Sequence, residues 1–303
     1  AALLIFGPAH RRLRGLEAAA RNLGRGERSA RAPEAGGDEI SSVALSFNQM
    51  ADDLDRRASE LAASDRARRQ LLADVSHELT TPLTAIRGYV ETLAMPDLAL
   101  DEAARMRYLG IVGDETMKLE RIVGDLLELA KLEAGGITLR VQDVPITDLF
   151  ARVASRHERL CQERQLTLTT TIEAGAETVR ADPDRLEQVL QNLAANALRH
   201  STTGGRIDLV ASADDGTIII DVRDTGSGIA PEHLPFIFDR FYKTEAARSD
   251  EAAGSGLGLS IVKAIVRRHG GTVTATSNPG VETVFRVRLP APESEDHPPT
   301  GGA

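Results

Sequence analysis

The sequence predicts a multidomain chain: an all-α N-terminal portion ending in an antiparallel helical hairpin, followed by a mixed α/β domain. Three observations carry this expectation. Apolar residues recur at spacings of three and four between residues 40 and 93, and again between 109 and 130, which is the seam period of packed helices. After Gly135-Gly136 the texture changes to short β-branched runs alternating with helical stretches. The 303 residues, 27% charged and 42% hydrophobic, suffice for two or three folded domains and not for a disordered chain.

The N-terminal 31 residues carry seven arginines against Glu17 and Glu27, a net +5 in a chain whose overall charge is −9. That overall charge argues against general nucleic-acid binding. Ahead of the arginines stands Ala1-Ala2-Leu3-Leu4-Ile5-Phe6, an apolar stub too short to span a bilayer, and no Met begins the chain. Residues 1–7 are therefore expected to be the end of a truncated transmembrane helix on its cytoplasmic side, the other reading being a basic, solvated N-terminus. Residues 8–57 read as two short amphipathic helices around a Gly-rich connector, Gly24 to Gly37. Pro8 suits a first turn, Asp38 a cap, and Ile40, Val43, Phe47, Met50 and Leu54 form one stripe.

The pattern continues unbroken through Leu72, Val75, Leu79, Pro82, Ile86, Tyr89 and Leu93. It stops at Met95-Pro96-Asp97 and resumes from about Asp101 to Glu133, with Leu109, Val112, Thr116, Leu119, Val123, Leu126 and Ala130 on one stripe. One hairpin buries such a stripe poorly, so a homodimer forming a four-helix bundle is expected. If Leu72 and Leu79 take inner positions, His77 takes the outermost one and faces water. Glu78 beside it can orient or deprotonate the imidazole. A surface His beside a surface Glu is the plainer reading of that pair alone. Pro82, without an N–H, is expected to bend the helix.

In the α/β portion, strands are expected at 138–141, 166–172, 206–211, 218–222, 271–276 and 283–289, with helices near 147–163, 184–199 and 259–269. The tail from Pro290 has a disorder-like composition. Asn192 and Asn196 are four apart on one helix face, where an amide needs a task. An amide oxygen suits Mg2+ carrying a triphosphate, and Arg199 lies one turn on. Asp224-Thr225-Gly226-Ser227-Gly228 follows a strand and joins a carboxylate to glycines that permit close backbone approach. Ile237 to Lys243 gathers most of the scarce aromatics. Gly254-Ser255-Gly256-Leu257-Gly258 enters a helix, as phosphate cradles do. Each motif alone also reads as an ordinary turn. No Gly-Lys-Ser/Thr follows the glycines, so this is not a P-loop, and the initial glycine run of a Rossmann unit is absent. The single Cys161 excludes an intrachain disulfide and a Cys-based metal site, and reads as a small core residue.

Taken together, these strings resemble known modules. Pro8 and Asp38-Glu39-Ile40 are similar to a HAMP linker, with Ser41 where Gly is usual. Ser76-His77-Glu78-Leu79-Thr80-Thr81-Pro82-Leu83 resembles the H-box of HisKA-type histidine kinases, with Thr80 where a basic residue is usual. The Asn, Asp-Gly, aromatic and Gly-rich clusters resemble, in order and spacing, the boxes of the GHKL ATPase superfamily and its Bergerat α/β sandwich. The resemblance implies a HAMP-containing sensor histidine kinase of a two-component system: HAMP 8–57, dimerisation and phosphotransfer domain 58–134, catalytic domain 135–290 and a disordered tail 291–303. It further implies that His77 accepts phosphate from ATP, Glu78 acts as acid/base and Thr81 positions water. Asn196 would bind Mg2+ and Asp224 adenine. Asn192 and Arg199 would lie beside the phosphates and Gly226 and Gly228 beside the base, with Gly254, Gly256 and Gly258 at the end of a mobile lid from about Ala230 to Ser255. Lys243 would reach the γ-phosphate. A separate response regulator would receive the phosphate and be dephosphorylated too, with the whole at the cell inner membrane and this chain on the cytoplasmic side. Two other readings stay open: a GHKL ATPase without phosphotransfer, and a scaffold with a dead site. The stimulus, the cognate regulator and the choice between cis and trans transfer are not encoded legibly.

Overall fold

A computed structural model describes residues 2–36, 38–95, 100–136, 138–244 and 254–291. The chain divides into two compact units, Ala1–Val75 and Ser76–Ala303. Helix α2 (Glu39–Ala94) contributes to both.

In the first unit, α1 (Ala2–Gly24) and the start of α2 pack around Ala19, Ala32 and Ala44, with Leu16 and Phe47 against them. So small a core needs polar staples. Arg12 reaches both oxygens of Asp38, at 2.8 and 2.5 Å, and this guanidinium holds the Asp38 carboxyl below its usual range. Asp38 also accepts the Ser41 backbone N–H at 3.2 Å, the expected cap. Ser41 is buried, and its hydroxyl donates to the Ala35 carbonyl and the Asp38 carboxylate. The hydroxyl thus has local partners within the connector and cap. Asn48 brackets the connector: it accepts from the Ala32 N–H at 2.8 Å and donates to the Ala32 carbonyl at 3.0 Å.

In the second unit, α2 runs through Pro82 without ending, so the proline is accommodated within a continuous helix. Helix α3 (Glu102–Glu133) starts where Asp101 accepts the Ala104 N–H at 2.7 Å. Tyr89 of α2 and Tyr108 of α3 meet with ring centroids 5.2 Å apart. The face of α3 buried within the chain lies beside the stripe assigned to the homodimer. Ile122, Leu129 and Leu132 are buried, whereas Val123 and Ala130 stay exposed, because the C-terminal half of α3 packs on the α/β domain.

That domain has a five-stranded sheet, in the order β2-β4-β5-β7-β6, and a two-stranded sheet, β1-β3. The strands are β1 (Gln142–Pro145), β2 (Thr167–Ile172), β3 (Thr178–Ala181), β4 (Arg206–Asp214), β5 (Thr217–Asp224), β6 (Thr272–Asn278) and β7 (Glu282–Pro290). β2 runs parallel to β4 and the remaining pairs are antiparallel. Register aligns Leu209, Val222 and Phe285 across three strands, and Ala211, Ile220 and Val287 beside them. All are buried against α4 (Ile146–Arg164), α5 (Pro183–His200) and α6 (Gly258–Arg268), which gives an α/β sandwich with one hydrophobic core. On the opposite face Asp221 is clamped by Arg286, at 2.7 Å through two nitrogens, and by Arg223 at 2.9 Å.

Two strand expectations need correction. The first strand lies at Gln142–Pro145 and not at 138–141, because its partner β3 pairs with Gln142–Pro145. β3 itself, four residues with two facing the core, was too short to register as a period. Pro290 closes β7, and the Ala291 N–H donates to the Gly216 carbonyl at 2.8 Å, so the ordered chain extends past the expected tail boundary. The rest of that tail, Pro96, Asp97 and Gly37 lie outside the described residues. Cys161 is buried in α4, with its thiol pushed above the usual range by that burial. Among the described residues no helix is long and apolar enough to cross a membrane.

Candidate active site

Burial of the sheet's apolar register carries the end of β5 into the interior, and Asp224 with it, 3% exposed. Desolvation pushes its carboxyl up to about 6, partly opposed by the Gly226 N–H, which donates to Oδ1 at 3.0 Å. A carboxyl withdrawn from water to this degree is suited to a ligand that brings a hydrogen-bond donor to it. The chemistry that fits is a neutral N–H donor, such as an exocyclic amino group. Gly226 and Gly228 shape this corner. A Cβ on Gly226 would lie 2.3 Å from the His200 carbonyl oxygen. At Gly228, with φ +79, it would lie 2.4 Å from the Pro279 Cα.

Helix α5 supplies the amides. Its N-terminus is fixed by Asp182, which accepts the Arg185 N–H at 3.2 Å, and by Pro183 in the first turn. Asn192 and Asn196 are both half-buried. The Asn192 amide donates to the Gly258 carbonyl at 3.4 Å, which ties α5 to the start of α6. Asn196 presents an amide with no protein partner among the described residues, so its oxygen is free for a hard cation. No group of three or more His, Cys, Asp or Glu side chains that could hold a metal exists among those residues. A Mg2+ here would fit one amide plus phosphate oxygens and not a cage of side chains.

Gly254, Ser255 and Gly256 lead into α6, whose N-terminus has no side-chain cap. Its first N–H groups therefore remain suited to an anion. The Arg199 guanidinium lies where a Cβ on Gly254 would fall, at 2.7 Å. Gly256, with φ +74, lets the loop lie against Phe241, whose N–H donates to the Gly256 carbonyl at 3.0 Å. Of the expected lid, residues 245–253 lie outside the described residues.

His77 is exposed on α2, as its heptad position predicts. The Thr81 hydroxyl donates to the His77 carbonyl at 3.1 Å, and Thr80 donates likewise to the Ser76 carbonyl at 2.7 Å. Glu78 accepts from the Lys243 ammonium at 2.6 Å, an ion pair largely withdrawn from solvent. Lys243, expected beside a phosphate, is thus paired with the carboxylate next to the histidine. Three further contacts join α3 to the α/β domain. The Ser255 hydroxyl donates to Asp125 at 2.9 Å. Glu128 is bound by Arg185 and, at 2.6 Å, by Gln188. Glu133 is paired with Arg240. Asp125, Glu128, Glu133, Arg185 and Ser255 were not singled out from the sequence, because partners 57 to 130 positions apart leave no local signal.

Residues 4–56 match the HAMP domain, residues 67–135 the His Kinase A (phospho-acceptor) domain and residues 181–293 the histidine kinase-, DNA gyrase B- and HSP90-like ATPase. The chain belongs to the HAMP-containing sensor histidine kinases. It is 37% identical over 229 residues to the sensor protein SrrB of Staphylococcus aureus, covering 76% of this chain and 39% of SrrB. The kinase chain thus spans about two fifths of the length of such relatives. Its fold is similar to that of the histidine kinase ThkA solved in complex with the response regulator protein TrrA, at a TM-score of 0.62 and 25% identity. That likeness covers 79% of this chain and 67% of ThkA. Full-length ShkA in complex with AMPPNP gives a TM-score of 0.55 and 30% identity over 73% of this chain and 46% of ShkA.

Proposed function

We propose that this kinase transfers the γ-phosphoryl of ATP to a His77 ring nitrogen and passes it to an Asp of a separate response regulator. The observation that carries the reading is the pairing, within one compact unit, of a solvent-facing His77 followed by Glu78 on a long helix with a buried Asp224 and a glycine-lined helix N-terminus. In this reading Asp224 accepts the adenine amino group, with Gly226 and Gly228 bordering the base. Asn196 holds Mg2+, and Asn192 and Arg199 line the phosphates. Gly254, Gly256 and Gly258 cradle the triphosphate, and Lys243 reaches its γ-end. Such a site works by positioning and by neutralising charge. Glu78 takes the proton from the attacking imidazole's partner nitrogen or orients the ring.

The assignments extend to the wider protein. Residues 8–57 act as the HAMP linker, 58–134 as the dimerisation and phosphotransfer domain and 135–290 as the catalytic domain. The packing of β1, α4 and β3 into the same core as α5 supports starting the last of these well before residue 181. Leu83, Val90, Met106, Leu109, Met117, Val123 and Leu127 are exposed along α2 and α3. That is the surface a second copy would cover in a four-helix bundle. Thr81 would position water to dephosphorylate the regulator. The HAMP module and the basic N-terminal stretch suit attachment to the inner membrane, with this chain on the cytoplasmic side.

The test is incubation of the purified chain with γ-labelled ATP and Mg2+. Label that is acid-labile and base-stable, and is lost in His77→Ala while ATP binding persists, supports the reading. Hydrolysis without protein label would instead indicate an ATPase lacking phosphotransfer, and no nucleotide binding at all a scaffold.

A further inference from the structure

Two contacts in the second unit bring opposite ends of the expected phosphate site onto the helical hairpin. Lys243 donates to Glu78 on α2 at 2.6 Å, with the two side chains 14% and 19% exposed. Ser255, between Gly254 and Gly256, donates to Asp125 on α3 at 2.9 Å. The Ser255 hydroxyl also accepts the Leu257 N–H at 3.3 Å, so it is bound on both sides. Asp125 is half-buried, and burial pushes its carboxyl upward despite the Ser255 hydrogen bond. Glu128 adds repulsion and Arg121 a smaller attraction.

We propose that Asp125 and Glu78 form a two-point clasp that competes with the triphosphate for Ser255 and Lys243. The inference rests on the kinase reading in one respect, that ATP is what the Asp224 site and the glycine loop bind. A carboxylate bonded to the loop at the N-terminus of α6 repels an arriving polyanion, and an ammonium already neutralised by Glu78 has little charge left for phosphate. Triphosphate and clasp are therefore alternatives. ATP loosens the catalytic domain from the hairpin and frees the Glu78 carboxylate beside His77 in the same event. By reciprocity, loosening the clasp from the hairpin side must strengthen nucleotide binding by the same factor.

Asp125 lies on α3, outside the residues assigned to nucleotide, and so tests the linkage cleanly. The full chain is titrated calorimetrically with a non-hydrolysable ATP analogue and Mg2+, as the parent, Asp125→Ala and Asp125→Asn. Asp125→Ala is expected to bind about fivefold tighter, at the low end of ordinary coupling. The Asn amide oxygen still accepts from Ser255 but carries no charge, so Asp125→Asn is expected to fall between the parent and Asp125→Ala. One site per chain in each titration shows that the variants are folded. Equal affinity for parent and Asp125→Ala, or weaker binding by Asp125→Ala, overturns the clasp while leaving the kinase reading intact. A parent that binds no nucleotide overturns both.

Discussion

Replacing Asp224 by Asn separates stability from nucleotide recognition, because the same buried carboxyl opposes one and serves the other. Its native pKa stands at about 6 against an ordinary 3.8, with desolvation the leading cause. A native pKa above the unfolded one means that no stability is lost below pH 3.8, where both states are protonated. The loss grows through the interval and is complete above pH 6. At about 1.36 kcal/mol for each pH interval of one, the ionised carboxylate costs about 3 kcal/mol at neutral pH. The Asn oxygen can still accept the Gly226 N–H, so Asp224→Asn keeps that bond and removes the charge. Urea unfolding of the nucleotide-free chain, followed by circular dichroism, should show the variant about 2–3 kcal/mol more stable at pH 8 and equal to the parent near pH 4. Binding should move the other way. Losing a charge-assisted hydrogen bond to the adenine amino group weakens ATP about tenfold or more, and parent affinity should fall as the pH drops below 6. A variant less stable than the parent at pH 8 would refute the desolvation argument. Unchanged ATP affinity would remove Asp224 from the adenine site.

Asp221→Ala should destabilise the domain by about 2–3 kcal/mol, since it leaves Arg223 and Arg286 without their shared carboxylate. Asp221 is buried, yet its two arginines hold the carboxyl below its usual range, so this stabilisation is present above pH 3.8 and fades as the pH falls through the lower native value; unfolding curves at pH 7 and pH 3 check both points. Gly228→Ala forces a side chain onto a backbone at φ +79 and 2.4 Å from Pro279, costing about 1–2 kcal/mol for the conformation alone and displacing the adenine corner; thermal melts and nucleotide titrations on one sample report the two effects. Asn196→Ala should abolish the Mg2+ dependence of ATP binding while leaving metal-free binding close to the parent's, as titrations with and without Mg2+ would reveal. The Cys161 thiol should resist alkylation in the folded chain and react readily once the chain is unfolded, measured by the rate of thiol labelling.

The helices and most strands were legible because their apolar periods are set locally. Asp38 could be read as a cap, and Asn192 with Asn196 as one face, because each depends on neighbours three or four positions away. β1 was misplaced and β3 missed because their identity comes from pairing across 33 to 39 positions. The burial of Ile122 and Leu129 within the chain was not legible, since heptad spacing cannot tell which face of α3 meets another domain of the same chain. For the same reason the ion pair between Lys243 and Glu78 was not legible. Their ion pair spans 165 positions and depends on how the catalytic domain rests on the hairpin.

The most direct measurement is to locate the phosphate after incubation with Mg2+ and ATP, by mass spectrometry of peptides prepared under alkaline conditions. The account predicts phosphorus on the peptide containing His77, on a ring nitrogen of that residue and on no other histidine. Phosphate on Ser76, Thr80 or another side chain, with His77 unmodified, would contradict it.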